Sequence, residues 1–428
     1  MIIDRNIQPP IRPTRKPDLV TPQKIFLDNG IPVFLLHAGI QDVCRIDFTF
    51  NAGAWQQHVP LQSAMTNAML QEGCGSYSAR QIAEIFDFHG AYLQLSADQH
   101  FGIISLVSLT KHLPRLMPLM ECLVKKAFFP LNEFETLVKR RKQRFLLENE
   151  KVKVLCQKKF SEMLFGEDHP YSQTVIADDF EKLQLSALTD FYRECYHSTN
   201  CEILVAGRFG QELPGLLNRH FGGNDWESRK SVSADFSIGS SSRKLIHVNK
   251  PDAIQSAIRT GRILVTKDHP DYHPLQVLIT VLGGYFSSRL MLNIREQKGF
   301  TYGVGSSFIS LNKAGYLVIA TEVDKKYEQV TLAEIFRELG KLRTECIGGE
   351  ELNRVRQYLL GEFVRDLDGP FSLAQVFREV HEFGLDYSFY EKYYQTIMTV
   401  DPEQLRQLAE TYFREEDFYT VIAGREEE

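Results

Sequence analysis

Short alternating runs and longer helical repeats of apolar residues divide this chain into strands and helices. Residues 46–50 alternate as a half-buried strand does, and Asn29-Gly30 lies between two apolar runs, which is a strong hairpin signal. The apolar spacing over 111–127 and over 131–165 predicts long amphipathic helices. Further helices are predicted at 61–71, 79–88 and 185–196, and further strands within 92–109 and at 203–205.

The second half of the chain repeats the first. Pro60-Leu61-Gln62 recurs 214 positions later as Pro274-Leu275-Gln276, and Ala206-Gly207-Arg208 recurs 217 positions later as Ala423-Gly424-Arg425. Between the copies, residues 225–244 contain seven serines and no periodic pattern, as linkers do. We predict a tandem duplication of an α/β (α+β) unit, with an N-terminal domain at 1–228, a Ser-rich linker at 229–244 and a C-terminal domain at 245–428.

Composition narrows the class of protein. The chain has 428 residues, 43% hydrophobic and 24% charged, which is typical of a soluble globular protein with more than one domain. A net charge of −6 gives no support to nucleic-acid binding. The seven cysteines are odd in number and form no CxxC pair, which favours free thiols in a reducing compartment. No secretory signal is visible and no apolar run approaches the ~20 residues that cross a bilayer, so we expect a cytoplasmic protein without a membrane partner.

The stretch 287–302 combines a helix, a glycine and a strand in a way that suggests chemistry. Apolar spacing predicts a helix up to Lys298, which Gly299 ends, and a strand that begins at Tyr302. Arg295 and Tyr302 would then lie near the helix end and on the entering strand. A guanidinium and a phenol placed together can hold a peptide carbonyl, or the oxyanion that forms there. The alternative is structural, with the arginine capping helix carbonyls and the tyrosine packed in the core.

The amino-acid sequence of this stretch resembles that of a known family. The phrase SRLMLNIREQKGFTYG at 288–303 closely resembles the C-terminal half of the M16 zinc metallopeptidases, the group of pitrilysin, insulin-degrading enzyme and mitochondrial processing peptidase. In that family an Arg and a Tyr seven residues apart bind the substrate backbone, and Arg295 and Tyr302 match them. The phrases LDNG at 27–30 and HPY at 169–171 are also similar to family phrases. The resemblance implies two homologous halves, each a mixed, largely antiparallel sheet covered by helices on one face.

The residues of the family's metal site are absent from this sequence. Catalytic M16 chains carry HxxEH, in which two His bind zinc and the Glu serves as general base. Counting back from Met69-Leu70-Gln71-Glu72 places Ala64, Asn67 and Ala68 at these positions. Alanine has no ligand atom, and an Asn amide accepts no proton at neutral pH. Glu72 lies one turn beyond Ala68 on the same helix face, but one carboxylate is a poor zinc site. Glu148 and Glu150 lie near the region of the family's distal ligand, and without the two histidines we interpret them as exposed helix charges. We therefore predict no catalytic residue and no metal ligand in this chain.

Other candidate sites are weaker. His269 and His273 are spaced as helical zinc ligands with Asp271 between them, but Asp is also an ordinary residue at a helix start. Cys195 and Cys201 flank His197, and packed thiols explain them more simply than a nucleophile does.

Three functions compete. The first is a non-catalytic, substrate-binding subunit of a heterodimeric M16 peptidase that acts on unfolded peptides, inactive alone, with zinc supplied by an HxxEH-bearing partner chain. The second is an M16-like scaffold without a proteolytic role, as in core subunits of respiratory complexes. The third is a free-standing enzyme with another mechanism, for which the sequence contains no matching constellation. The presence of Arg295 and Tyr302 favours the first.

Overall fold

A computed structural model describes residues 17–172, 175–226 and 235–425. Alternating apolar runs form the strands, as the pattern predicts. They are β1 Gln23–Phe26, β2 Pro32–His37, β3 Val43–Phe50, β4 Gly73–Cys74, β5 Tyr77–Ser78, β6 Tyr92–Ala97, β7 Gly102–Leu109, β8 Cys201–Gly207, β9 Leu245–Asn249, β10 Gln255–Leu264, β11 Val304–Leu311, β12 Ala314–Asp324 and β13 Tyr419–Gly424.

The helices follow the stretches with helical spacing of apolar residues. They are α1 Gln62–Met69, α2 Ala79–Phe88, α3 Leu113–Lys125, α4 Leu131–Asn149, α5 Val152–Phe165, α6 Ala177–Lys182, α7 Leu185–Cys195, α8 Leu213–Phe221, α9 Tyr272–Ile279, α10 Glu328–Thr344, α11 Gly349–Arg365, α12 Pro370–His381, α13 Ser388–Thr399 and α14 Pro402–Tyr412. Two further segments, Thr280–Gly284 and Met291–Gln297, wind as π-helix. In the described part of the chain, no helix is both long and apolar enough to cross a bilayer.

Two sheets with the same internal order form the frame. One has the order β1-β2-β8-β3-β7-β6 and the other β9-β13-β10-β12-β11. In each, one parallel pair, β2 with β8 or β9 with β13, adjoins antiparallel neighbours. The first sheet has β1 as an additional edge strand. The predicted fold of mixed, largely antiparallel sheets with helices is confirmed.

Local signals in the sequence identified the first hairpin correctly. β1 and β2 pair antiparallel, with Phe26 opposite Pro32. Gly30 has a φ of +89° in the turn, a conformation that glycine adopts without steric cost. Residue Asn29 donates from its side-chain amide to the Phe221 carbonyl at 2.7 Å, which fixes the turn against the end of α8.

The repeated phrases lie at corresponding places in the two sheets. α1 follows the central strand β3, and α9 follows the central strand β10. Ala206-Gly207 ends β8 and Ala423-Gly424 ends β13, the strand in the same place of the second sheet. The exact limits of the two domains stay a prediction, because residues 229–234 of the predicted linker lie outside the described residues.

Each sheet carries the helices of its own half on one face. Phe48 and Leu106 of the first sheet pack with Leu116 of α3 and Phe191 of α7. The opposite face is covered by a helix from the other half. There α12 of the second half places Leu373 against β2 and β8, through a cluster of buried apolar residues.

In the same way, a helix from the first half covers one face of the second sheet. α5 of the first half packs Cys156 and Phe160 against Val421 and Ala423 of β13 and Ala257 of β10. This packing of helices on the opposite half could not be predicted, because helical spacing shows that a face is apolar and not which sheet it contacts.

This packing also explains an error in the predicted elements. The single helix predicted at 131–165 is two helices, α4 and α5, separated at Glu150 and Lys151. α4 contacts α6 of its own half, whereas α5 turns away to reach β10 and β13. Asn149 at the end of α4 accepts a hydrogen bond from Lys158 Nζ at 2.7 Å, which stabilises the bend.

Candidate functional site

Arg295 lies on the π-helical segment Met291–Gln297, close to its end. Its guanidinium carbon lies 4.7 Å from the ring centroid of Phe286, a cation–π distance. Its Nη1 is 3.8 Å from a carboxylate oxygen of Glu296, and about a third of the side chain (34%) is exposed. The guanidinium is therefore held on one face and open to solvent on another.

The turn after this segment is fixed to the sheet. Gly299 has a φ of +67°, as the predicted helix end requires, and its N–H donates to the Arg295 carbonyl at 3.1 Å. Phe300 stacks on Tyr327 with ring centroids 4.5 Å apart. The Thr301 hydroxyl donates to the Glu322 carbonyl of β12 at 2.7 Å. These contacts leave the backbone around residue 302 little freedom.

Tyr302 projects from this fixed turn into solvent. Its side chain is 94% exposed, and its hydroxyl has no hydrogen-bond partner among the described residues. The prediction that Tyr302 lies on the strand is wrong, because β11 begins at Val304 and Tyr302 belongs to the preceding turn. Packing in the core, the structural alternative for this tyrosine, is also excluded by its exposure.

Hydrogen bonds and ion pairs attach the Arg295 segment, residues Met291–Gln297, to α10. The Asn293 amide donates to Glu338 at 2.7 Å and to Glu334 at 2.9 Å, both on α10. Lys298 reaches Asn293 Oδ1 at 2.7 Å and Glu334 at 2.9 Å. Burial by itself would raise the pKa of Glu334, but hydrogen bonds from Lys298 and Asn293 outweigh it and lower that pKa to about 2. The network joins both ends of the segment to one helix, and charge-assisted bonds make it strong.

The first half presents different chemistry at the positions of the family's metal motif. Ala64 is exposed and offers no donor atom. Asn67 is buried, and its amide donates to the Tyr196 hydroxyl at 3.1 Å. Ala68 packs in an apolar cluster with Phe134. These residues do not fit a zinc ion, because none supplies the imidazole or carboxylate ligands that zinc requires.

The three carboxylates considered as remaining metal ligands, Glu72, Glu148 and Glu150, have other interactions. Burial, and then the charge of Glu133, raise the pKa of Glu72. Glu148 forms an ion pair with Lys151 at 2.8 Å, and Glu150 pairs with Lys250. Over residues 17–172, 175–226 and 235–425, no three His, Cys, Asp or Glu side chains cluster closely enough to hold a metal ion.

Comparison with known proteins relates this geometry to a family. A family model described as the peptidase M16 inactive domain matches residues 182–359. An uncharacterised zinc protease of Mycobacterium leprae is 28% identical over 256 residues, 58% of this chain and 57% of the relative. The uncharacterised zinc protease YmxG of Bacillus subtilis is 22% identical over 306 residues, 71% of this chain and 74% of the relative. The chain is therefore similar to M16 peptidases, and the family model covers residues 182–359 of it.

Solved structures show the same M16 fold. The peptidase M16 inactive domain from Pseudomonas fluorescens superposes with a TM-score of 0.86 at 21% identity, covering 95% of this chain and 98% of that one. A chain of complex III2 from Candida albicans superposes with a TM-score of 0.73 at 13% identity, covering 94% of this chain and 95% of that one. The M16 fold thus also occurs in a large assembly.

The segment that the family model matches contains one of the two candidate regions and not the other. Arg295 and Tyr302 lie within residues 182–359, whereas Ala64, Asn67 and Ala68 lie outside them. Whether Arg295 and Tyr302 bind substrate stays a prediction at this point. The structure adds that Arg295 is partly exposed on the Met291–Gln297 segment and that Tyr302 is exposed on the turn after it.

The weaker candidates do not form sites in this structure. His273 is buried beside Phe389, with ring centroids 4.4 Å apart, and its Nδ1–H donates to Gln276 Oε1 at 3.1 Å. Burial lowers the pKa of His273. His269 lies 3.8 Å from Asp271, and the two histidines belong to no metal-binding group among the described residues.

The two cysteines behave as packed thiols. Burial raises the pKa of Cys195 to about 12, and burial also raises the pKa of Cys201 well above its ordinary value. Thiols with raised pKa values are poor nucleophiles because little thiolate is present. A cysteine nucleophile at this place is therefore not supported.

Two contacts of the candidate residues could not be predicted from the sequence. Phe286 lies on an irregular turn before the Arg295 segment, so no helical spacing relates it to Arg295. The bond between Asn67 and Tyr196 joins α1 to the residue after α7, across more than a hundred positions. The one available signal was the Gly-Gly-Tyr-Phe phrase at 283–286, which predicts a turn but no partner for its aromatic rings.

Proposed function

We propose that this M16-like chain is the non-catalytic, substrate-binding subunit of a two-chain peptidase, in which an HxxEH-bearing partner carries the zinc. One observation carries the proposal. Arg295 is partly exposed on a segment that α10 holds, and Tyr302 is exposed on the turn after it, while the metal-motif positions hold Ala64, Asn67 and Ala68. A chain with only a structural role would have no evident use for a phenol that is 94% exposed on a fixed turn.

The chemistry of the pair suits a peptide backbone. An arginine guanidinium donates several hydrogen bonds in a fixed plane, so Arg295 can bind a peptide carbonyl. A tyrosine hydroxyl donates one hydrogen bond, so Tyr302 can stabilise negative charge that develops on a carbonyl oxygen. Because these contacts involve only the backbone, the substrate class is an unfolded peptide recognised without strict dependence on its side chains.

The residues of this chain do not themselves complete a reaction. The acidic side chains Glu334 and Glu338 are bound to Asn293 and to lysines, and Glu296 lies beside the Arg295 guanidinium, so we assign no general base to this region. The partner must therefore supply the hydrolytic chemistry. We infer a reducing compartment such as the cytoplasm, because the seven cysteines are odd in number and form no CxxC pair.

Co-expression tests this proposal. The chain is produced alone and together with an HxxEH-bearing M16 chain from the same source, and each preparation is assayed for zinc and for cleavage of unfolded peptides. We expect a heterodimer with one zinc, chelator-sensitive cleavage by the pair, and neither zinc nor cleavage for this chain alone. Stoichiometric zinc and chelator-sensitive cleavage by this chain alone would show the proposal to be wrong.

A scaffold is the second candidate function, because the same fold occurs in a chain of complex III2. The two functions differ in what Arg295 and Tyr302 do. If Arg295→Ala and Tyr302→Phe both leave cleavage by the assembled pair unchanged, the residues have no substrate role and the scaffold function is favoured.

A further inference from the structure

A cavity of about 350 Å³ lies where the last turn of α12, from the second half, meets the first sheet. Its walls come from both halves, since the start of β2, the end of β3 and the start of β8 line it together with α12 and the turn between β11 and β12. Ligand sites of this size occur preferentially where two domains meet. Neither Arg295 nor Tyr302 lines the cavity, so a ligand there would be independent of the proposed peptidase function.

One part of the cavity wall is aromatic. Phe34 of β2, Phe377 of α12 and Phe101, which precedes β7, line it, and the Phe34 and Phe377 ring centroids are 5.0 Å apart. Phenyl rings pack against apolar groups, and their faces attract a positive charge. The ammonium of Lys24 already lies 5.4 Å from the Phe34 centroid, which illustrates this attraction. The wall therefore suits a ligand with an apolar body and a cationic group.

Two carboxylates line the same cavity. Glu202 of β8 accepts a hydrogen bond from His381 Nε2 at 2.7 Å through one oxygen, and 47% of its side chain is exposed. Glu382, directly after α12, accepts from Arg378 Nε at 3.0 Å, also through one oxygen. An ionised carboxylate has two acceptor oxygens with several lone pairs, so both side chains can accept from a further donor.

The charges around the cavity leave an excess of negative charge. The carboxylates are Glu202, Glu382 and the buried Asp47, whereas the guanidinium groups are those of Arg45, 2.8 Å from Asp47, and Arg378, which contacts Glu382 and lies 4.0 Å from Asp47. Glu202 thus has a histidine and no permanent cation as its partner in the described part of the chain. Burial raises the pKa of Glu382 in spite of Arg378, so a further cation would stabilise its ionised form.

We propose that the cavity between α12 and the first sheet binds an organic cation, with its ammonium or guanidinium group at Glu202 and its apolar body against Phe34 and Phe377. The cationic group donates to the carboxylate in a charge-assisted hydrogen bond and balances the excess negative charge. An anion would be repelled by the same carboxylates. A free alkylamine and the lysine side chain of a peptide share this chemistry.

Calorimetric titration of the full-length protein with n-hexylammonium tests the proposal. Its neutral match is n-hexanol, which has nearly the same size and no charge. We expect n-hexylammonium to bind about tenfold more tightly than n-hexanol, because a hydrogen bond to a carboxylate is stronger when the donor is charged. N-acetyl-lysine N-methylamide is titrated in parallel. Similar binding of this compound would assign the cavity to a peptide side chain, and its exclusion beside binding of n-hexylammonium would assign it to a free amine.

Two variants locate the bound cation. Glu202→Gln removes the charge and keeps an oxygen that accepts from His381, so it should weaken n-hexylammonium binding about tenfold and leave n-hexanol binding unchanged. Glu194→Gln is the matched control, because Glu194 forms a similar pair with His58 at 2.9 Å and does not line the cavity. It should bind n-hexylammonium as the parent does. If Glu202→Gln lowers the unfolding temperature more than Glu194→Gln does, Glu382→Gln provides the same comparison.

The result for the parent protein comes first. A parent that does not bind n-hexylammonium, or that binds n-hexanol equally well, would overturn the proposal, since the cavity would then be empty or selective only for apolar groups. Unchanged binding in the cavity variant, or equal losses in the cavity variant and in Glu194→Gln, would place the cation elsewhere and would also contradict it.

Discussion

The two sheets of this molecule share one strand order, yet α1 in the first half and the Met291–Gln297 segment in the second half present different side chains to solvent. In the first half, α1 has a bare Ala64 on its exposed side and turns Asn67 inward to Tyr196. In the second half, the Arg295 segment holds its apolar side against the core and leaves the guanidinium and Tyr302 open. The difference shows that the fold depends on the buried positions, such as Met65 and Ile294, and tolerates opposite chemistry on the outer face.

The largest effect that would test this contrast is expected at Tyr302. We expect Tyr302→Phe to lower turnover by the assembled pair by about 10²–10³, the typical loss for one oxyanion donor. The ring stays in place, so assembly and stability should be unchanged. Steady-state kinetics on an unfolded peptide measures the effect.

Tyr77→Phe provides the matched control, because Tyr77 is a partly exposed tyrosine in the first half. It should leave turnover unchanged. Equal losses in both variants would mean that the effect is not specific to the second half.

Arg295→Ala should weaken substrate binding, with a loss on the order of 1.5–3 kcal/mol for a hydrogen bond to a charged group. The expected result is a higher KM, together with a fall in kcat/KM, and unchanged zinc in the partner. Arg289→Ala is the contrasting variant, because Arg289 forms a two-point ion pair with Glu351 at 2.8 and 2.9 Å and has a structural role. It should lower the unfolding temperature, which Arg295→Ala should not.

In the first half, the expected effect is on stability alone. Asn67→Ala leaves the buried Tyr196 hydroxyl without its donor, and an unsatisfied buried polar group costs about 1–3 kcal/mol. Chemical denaturation measures this loss. Ala64→Gln on the exposed side of the same helix should change stability by no more than ~0.5 kcal/mol. Loss of peptide cleavage in the Asn67→Ala pair, with the fold intact, would contradict the division of roles between the halves.

Phe286 tests how the guanidinium is held. Phe286→Leu removes an exposed cation–π contact worth about 0.5–1 kcal/mol, so we expect KM to rise by about two- to fivefold with little change in kcat. Phe286→Tyr should retain the parent KM. In an Arg295→Ala background, Phe286→Leu should have no further effect, because the contact is already absent. An equal effect in both backgrounds would place Phe286 directly on the substrate.

The smallest expected effect concerns the brace beneath the segment. The pKa of Glu334 in the folded state lies at about 2, below its ordinary value of 4.5, so its contribution to stability is complete above pH 4.5 and is lost as the pH falls towards 2. Glu334→Gln should therefore be less stable than the parent at pH 5. This difference in stability should become smaller as the pH falls through that window. Denaturation midpoints measured from pH 5 to pH 2.5 give the comparison. A difference that is constant across the range would exclude titration of Glu334 as the cause.

Sequence reasoning was most successful where the signal is local. The Asn-Gly hairpin, the helix at 79–88 and the helix end at Gly299 follow from the steric preferences of single residues, and the structure has all three. The Arg295 and Tyr302 positions were found by resemblance, and their exposure was not predictable, because a turn residue and a strand residue differ by only two positions here.

Contacts between distant parts of the chain could not be predicted from the sequence. Two examples are the hydrogen bond from Asn67 to Tyr196 and the ring of Phe286 beside Arg295. Both depend on how elements pack, which periodicity does not encode. The break between α4 and α5 belongs to the same class. Its cause is the sheet of the other half, and the residues around Glu150 give no strong stop signal.

The exchange of α5 and α12 between the halves sets the order in which this chain can mature. α5 leaves the ribosome well before β10 and β13, the strands that cover Cys156 and Phe160. The apolar side of α5 stays uncovered until both strands have been made, and long-range closure of this kind is slow and open to aggregation. A product that stops short of Tyr419 would lack the strand on which α5 rests and would leave that apolar side exposed.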